Sequence, residues 1–157
     1  MFREMRRVAK EGGADIAVEM MEKATNGVLA VHGDDGYPFA VPVSFAFKDK
    51  KIIFHSALEG HKVDSIKKDP KVSFCVVDAD DIIPERFTTM FRSAIAFGKA
   101  RLVTEGEEFR WAMEAIGEKY TPKQMGTGGF DKYMKAEEGR FQAVIIDVEH
   151  LTAKIGV

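Results

Sequence analysis

The sequence predicts a mainly β, α+β domain in which about six antiparallel strands close a small barrel with helices on its flanks. Three observations carry this. Strand-like segments follow one another at hairpin spacing, few long crossovers separate them, and one stretch alternates cleanly with period 2. A doubly wound parallel sheet would need a helix between most strands, and the chain does not offer them. No repeat, low-complexity segment or linker divides the 157 residues, so a single domain over 1–157 with one core is expected.

Each element has its own signal. Ala17, Met20, Met21 and Ala24 recur at i, i+3, i+4, i+7 and Asn26-Gly27 stops them, which predicts a helix burying one face. Val28 to Val31 is a short strand, and Gly33-Asp34-Asp35-Gly36 is a turn. From Phe39 to Phe47 large apolar residues alternate with Ala40, Pro42, Ser44 and Ala46, giving one strand with a large face and a small, flat one. Lys48-Asp49-Lys50 closes a hairpin onto Lys51 to Ser56, and Gly60 to Lys68 is a short helix ended by Asp69-Pro70. Val72 to Val77 and Thr89 to Val103 are strands, the second with a bulge or bend at Gly98. Thr104 and Glu107 have capping-box spacing ahead of a stripe of Phe109, Met113, Ile116 and Tyr120. A glycine-rich connector at 126–129, a weak helical stretch at 131–138 and a strand from Phe141 to Val157 complete the chain.

Composition narrows the function. Hydrophobic residues make up 45% and charged ones 31%, which is an ordinary soluble globule. The net charge of −2 and the dispersed basic residues give no reason to expect nucleic acid or a membrane surface as partner. Cys75 is the single cysteine, so neither an internal disulfide nor a thiolate zinc centre can form, and no metal site is expected. Met1 to Lys10 carries five charges and no apolar core of a signal peptide, so the cytoplasm is the expected location.

The most informative stretch is Ile53-Phe54-His55-Ser56-Ala57-Leu58-Glu59-Gly60-His61-Lys62, where a strand hands over to a helix that opens with Gly-His-Lys. Cations at a helix start oppose the macrodipole by roughly 0.3–1 kcal/mol each. An anion bound there would reverse the sign, with free N–H groups, ammonium and imidazole converging on it. That points to a phosphate site at Ser56, His61 and Lys62; a solvated helix start satisfies the same residue types. The small face of the 39–47 strand leaves room for a flat ring, and Pro42, which lacks an N–H, suits a sheet edge whether or not a ligand lies there. Arg92 shares parity with Ala94, Ala96 and Gly98, and its guanidinium fits a phosphate, a partner subunit's carboxylate or plain solvent.

Taken in order, these segments resemble the flavin-binding split barrels related to pyridoxamine 5′-phosphate oxidase, and within them the nitroimidazole-resistance (Nim) branch. Gly33 to Val43 is similar to that branch's first hairpin, His55-Ser56-Ala57-Leu58-Glu59-Gly60-His61-Lys62 to its phosphate signature, and Phe87 to Ala100 to its long central strand. The resemblance implies a split barrel and a homodimer with flavin mononucleotide (FMN), or alternatively FAD, at the subunit interface. Heme or deazaflavin are the other cofactors of related barrels. It implies Val41, Pro42 and Val43 beside the isoalloxazine ring, His55 and Ser56 at the strand end near it, His61 and Lys62 on the phosphate, and Arg92 and Ser93 approaching from the long strand. The implied activity is electron transfer from a nicotinamide donor through the flavin to a small acceptor such as a nitroaromatic. His55 is then the candidate catalytic group, as proton donor or orienter, or else a structural histidine. A flavin-binding storage or sensor protein without turnover fits the same residues. The arginine- and histidine-bearing C-terminal segment of the true oxidases has no counterpart before Val157, and His61 stands where they carry arginine, so vitamin B6 chemistry is not the expectation.

Overall fold

The computed structural model describes residues 1–156. The chain runs β1 (Glu11–Gly12), α1 (Ala14–Lys23), β2 (Gly27–His32), β3 (Pro38–Val43), β4 (Ala46–Lys48), β5 (Lys51–Ala57), α2 (His61–Lys68), β6 (Lys71–Ile83), β7 (Thr88–Val103), α3 (Gly106–Tyr120), α4 (Gly129–Ala136) and β8 (Phe141–Ile155). All strands belong to one antiparallel sheet of order β3-β2-β6-β7-β8-β5-β4, with β1 added to β8.

The six expected strands become eight because β1 is added and the alternating 39–47 segment is two strands, not one. β3 pairs with β2 at one edge of the sheet, and β4 pairs with β5 at the other. Only Ser44 and Phe45 separate them, a stretch spanning at most roughly 11 Å. The sheet must therefore curl until its two edges meet, although no ladder joins them. That is a split barrel. The alternation survives the break: Val41, Val43, Phe45 and Phe47 all face the main core, which also takes Met20 and Met21 of α1, Leu29, Phe54 and Phe74. A second, smaller core, including Ile53, Ala143 and Ile145, lies outside the barrel wall and is covered by Ala112 and Ala115 of α3.

Local signals explain most joints. Asp49 and Lys50 both adopt positive φ (51° and 58°), the tight reversal that suits right-twisted strands in a two-residue hairpin. The β7–β8 register shifts between Phe97 and Gly98, and a Cβ on Gly98 would lie 2.2 Å from the Asp147 carbonyl oxygen, so only glycine fits the bulge. Two expectations need correction. The Thr104–Glu107 capping box does not form: α3 begins at Gly106 with Glu105 at the cap and no side-chain cap bond. In that first turn it is Glu108, not Glu107, that makes a strong contact, with the Arg101 guanidinium on β7. The stripe of α3 is also shallower than expected, since its deepest residues are Ala112, Met113, Ala115 and Gly117 while Phe109, Ile116 and Tyr120 stay partly open.

Candidate functional site

The split defines the site. β4 and β5 pair as Ala46 with Ile53, Phe47 with Ile52 and Lys48 with Lys51. Continued backwards, that register would set Ser44 opposite His55 and Pro42 opposite Ala57. Instead β3 turns to β2 along its whole length, and its other edge has no strand partner. Pro42 is indeed on an edge strand, and its side chain points outward with Ala40, while Val41 and Val43 point into the core and reach the gap only through their backbone.

At one end of the gap Ser44 and His55 line the same groove. At the other, the His61 ring stacks on Phe39 with centroids 4.0 Å apart, and its Nε2 lies 3.8 Å from Asp34 Oδ2. The first turn of α2 therefore closes the gap at the Phe39 end of β3. Gly60, at φ 140° and ψ 172°, opens α2 without any side-chain cap, so the first N–H groups of the helix have no side-chain partner. Lys62 forms no ion pair among the described residues. It is nonetheless close enough to His55 to act on it. His55 has its pKa lowered first by burial against the groove wall and then by the Lys62 charge, so it is neutral at pH 7. Its ring meets Phe141 edge-on at 5.9 Å.

Two sequence-derived residues are placed differently. Ser56 is 5% exposed and points to the barrel interior, its hydroxyl donating to the Ala57 carbonyl at 2.8 Å. Arg92 is not with the others in one protomer. It pairs with Ala79, whereas α2 and the 33–37 turn lie at the end of the sheet where Lys71 pairs with Lys99. Seven strand residues separate Arg92 from Lys99, roughly 23 Å. Arg92 Nε instead lies 3.0 Å from Asp78 Oδ2, at the β6 bulge. Ser93 faces outward beside Ile95, on a sheet face where Val28, Val77, Ile95 and Phe97 are 38–64% exposed.

Sequence reasoning missed a wall of the site. A groove of about 480 Å³ runs from Ser44 and His55 outward between α3 (Met113, Ile116, Gly117, Tyr120) and α4 (Phe130, Tyr133). The available signal was a pair of aromatics three residues apart, directly after the 126–129 connector.

A sheet split beside an edge strand, closed at one end by a Gly-His-Lys helix start, makes this protein a small split barrel with flanking helices. The chain belongs to the pyridoxamine 5′-phosphate oxidase family, whose sequence profile matches residues 14–155. Among solved structures it is similar to a conserved hypothetical protein of Mycobacterium tuberculosis (TM-score 0.81, 20% identity, 97% of this chain and 90% of that one). It also resembles a candidate 5-nitroimidazole antibiotic resistance protein of Bacteroides thetaiotaomicron (TM-score 0.73, 19% identity, 91% and 84%). A third is an FAD-binding protein of Mesorhizobium loti (TM-score 0.63, 18% identity, 94% and 97%). No curated protein matches the chain. Among the described residues no helix is long and apolar enough to cross a membrane.

Proposed function

We propose that the protein is a homodimeric, Nim-like reductase that holds FMN in the split and passes electrons from a nicotinamide donor to a small acceptor such as a nitroaromatic. The observation that carries this is the gap between the unpartnered edge of β3 and the β5–α2 connection, ending at a helix start with an unpaired lysine. The gap is about five residues long, from Ser44 to Phe39, or roughly 17 Å. A ring at the Ser44–His55 end and a phosphate at the α2 end use both its features. The free backbone of Val41 to Val43 borders the ring, the outward side of Pro42 lies flat against it, and the N–H groups of α2 with Lys62 hold the phosphate. His61 supplies a further donor, with Asp34 orienting the ring. Ser56 supports the loop from inside through its bond to Ala57.

Bound flavin supplies the redox chemistry; the protein positions and insulates it. His55, neutral at pH 7, offers one donor and one acceptor nitrogen at the ring end of the gap, the right protonation state to orient an acceptor or relay a proton. The gap is open on one side in a single protomer. The exposed apolar face of Val28, Val77, Ile95 and Phe97 provides a surface for a second copy, and Ser93 lies on that face. Ser93 therefore acts on the cofactor from the partner protomer, while Arg92, on the other side of β7 with Asp78, supports that end of the strand. The resemblance to a candidate nitroimidazole-resistance protein and to an FAD-binding protein supports the same reading.

An absorbance spectrum of the purified protein with the mass of its extracted cofactor tests this first. The expected result is a flavin spectrum and the mass of FMN; a heme band, the mass of FAD or a colourless protein each overturns the assignment of FMN. Lys62→Ala is expected to lower flavin retention about tenfold or more, as loss of a charge-assisted phosphate contact does. Equal retention removes Lys62 from the site.

A further inference from the structure

The groove between α3 and α4 has a chemistry of its own. Its 480 Å³ falls within the roughly 300–1,000 Å³ of small-molecule sites. Met113 and Ile116 form one wall, Phe130 and Tyr133 the other, and Ser44 and His55 the floor. No carboxylate, ammonium or guanidinium lines it. A charged ligand would therefore shed water without touching a counter-ion, since Lys62 acts on His55 from outside the lining, and that is costly. An uncharged ring would stack on two aromatic side chains and still find a hydroxyl and an imidazole for one polar substituent.

From this geometry we infer that the α3–α4 groove binds a flat, uncharged aromatic molecule, ring between Phe130, Tyr133 and Ile116, polar substituent toward Ser44 Oγ and His55. The lowered pKa of His55 agrees, since its neutral form presents no charge to the ligand. The outer wall can adapt to rings of different size. No residue of α4 is fully buried, positive-φ Gly126 and Gly128 precede it (84° and 86°), and the Arg110–Asp131 ion pair at 2.6 Å ties it to α3. That the bound ring is the electron acceptor rests on the flavin reading; that the groove takes rings does not.

The test is calorimetric titration of the purified protein, at neutral pH, with two probes of similar shape: 4-nitroacetophenone, which is neutral, and 4-nitrobenzoate, which is an anion. The ketone is expected to bind at least about tenfold more tightly. Phe130→Ala and Tyr133→Ala, both on the partly open α4, are expected to weaken it about tenfold each, and Tyr133→Phe to keep it. Ile116→Trp fills the groove from the opposite wall and is expected to abolish binding, so the outcome does not depend on α4 folding in the alanine variants. Flavin content is measured alongside and is expected to stay constant in all four. Equal affinity for the two probes, or undiminished binding in both alanine variants, overturns the inference. Loss of flavin from Tyr133→Ala would mean that the groove holds the flavin ring itself, and the inference falls while the flavin reading stands. A colourless protein that still prefers the ketone and loses it with Ile116→Trp leaves the groove assignment standing and sinks the flavin reading.

Discussion

The two halves of the broken strand, Pro38–Val43 and Ala46–Lys48, carry the same alternation and meet opposite fates. At the Phe45 junction everything is satisfied from outside the sheet. The Phe45 ring is fully buried, meets Phe74 at 4.7 Å, and lies under the Lys119 ammonium, 4.3 Å from its centroid. Its N–H donates to the Tyr120 hydroxyl at 2.9 Å, and the same hydroxyl donates to the Phe45 carbonyl at 2.8 Å. A few residues upstream, the outer edge of β3 has no such cover, and Pro42 removes a donor from it. Bare edges invite strand pairing with other chains, and proline is a standard way to blunt them. The difference teaches where the fold spends its polar contacts. α3 closes the barrel at one point and leaves the next stretch of backbone free for something other than a strand.

The contrast breaks most severely at Phe45. Phe45→Ala removes a fully buried ring from the closure point and is expected to cost about 3–5 kcal/mol, measured as a shift of the denaturant midpoint. A loss below about 1 kcal/mol would mean that α3 does not depend on this residue to hold the two edges together. Next comes Tyr120→Phe. It keeps the ring and leaves a part-buried N–H and carbonyl without their partner, for an expected cost of about 1–3 kcal/mol. Because Tyr120 also lines the groove, its flavin content is the control, and it should stay unchanged. If Tyr120→Phe is as stable as the parent, water or a shifted backbone replaces the hydroxyl and the closed end is less locked than the geometry implies.

Most of the fold was legible because its signals are local. The i, i+3, i+4, i+7 spacing of Ala17 to Ala24 gave α1, and an isolated glycine at 98 gave the bulge. The split was not legible, because Phe45 keeps the period of Val41 and Val43, and periodicity reports a face without saying which neighbour each half pairs with. The capping box failed for a comparable reason: Thr104 and Glu107 have the spacing, and the cap nevertheless falls one residue later, at Glu105, with Glu108 on Arg101, a contact set by tertiary packing. At the site, His55, His61 and Lys62 came out together because one short segment carries all three. Arg92 was grouped with them by strand parity and by the resemblance of the 87–100 strand, and parity fixes the face of β7 and not the position along it. The groove stayed hidden since Met113 and Ile116 read equally well as a buried stripe, and only the placement of Phe130 and Tyr133 opposite them makes a cavity.

The closed end also has a titratable weak point, with the smallest expected effect. Lys119 is half-buried between the rings of Phe45 and Tyr120, with its ammonium donating to the Ala24 carbonyl. Those contacts favour the charged form, yet burial outweighs them and lowers its pKa to about 8. In the unfolded chain a lysine titrates at about 10.4. Below about pH 8 both states carry the proton, and the folded state bears the full cost of burying the charge. Between about pH 8 and 10.4 the unfolded state binds more protons, so stability from this group rises with pH. Lys119→Met removes the titration and keeps most of the packing. Melting temperatures followed from neutral to alkaline pH should therefore show the parent gaining on the methionine variant across that window, with a constant gap below it. Parallel curves would mean that solvent reaches the ammonium in the folded state and that the closure over Phe45 is looser than its distances suggest.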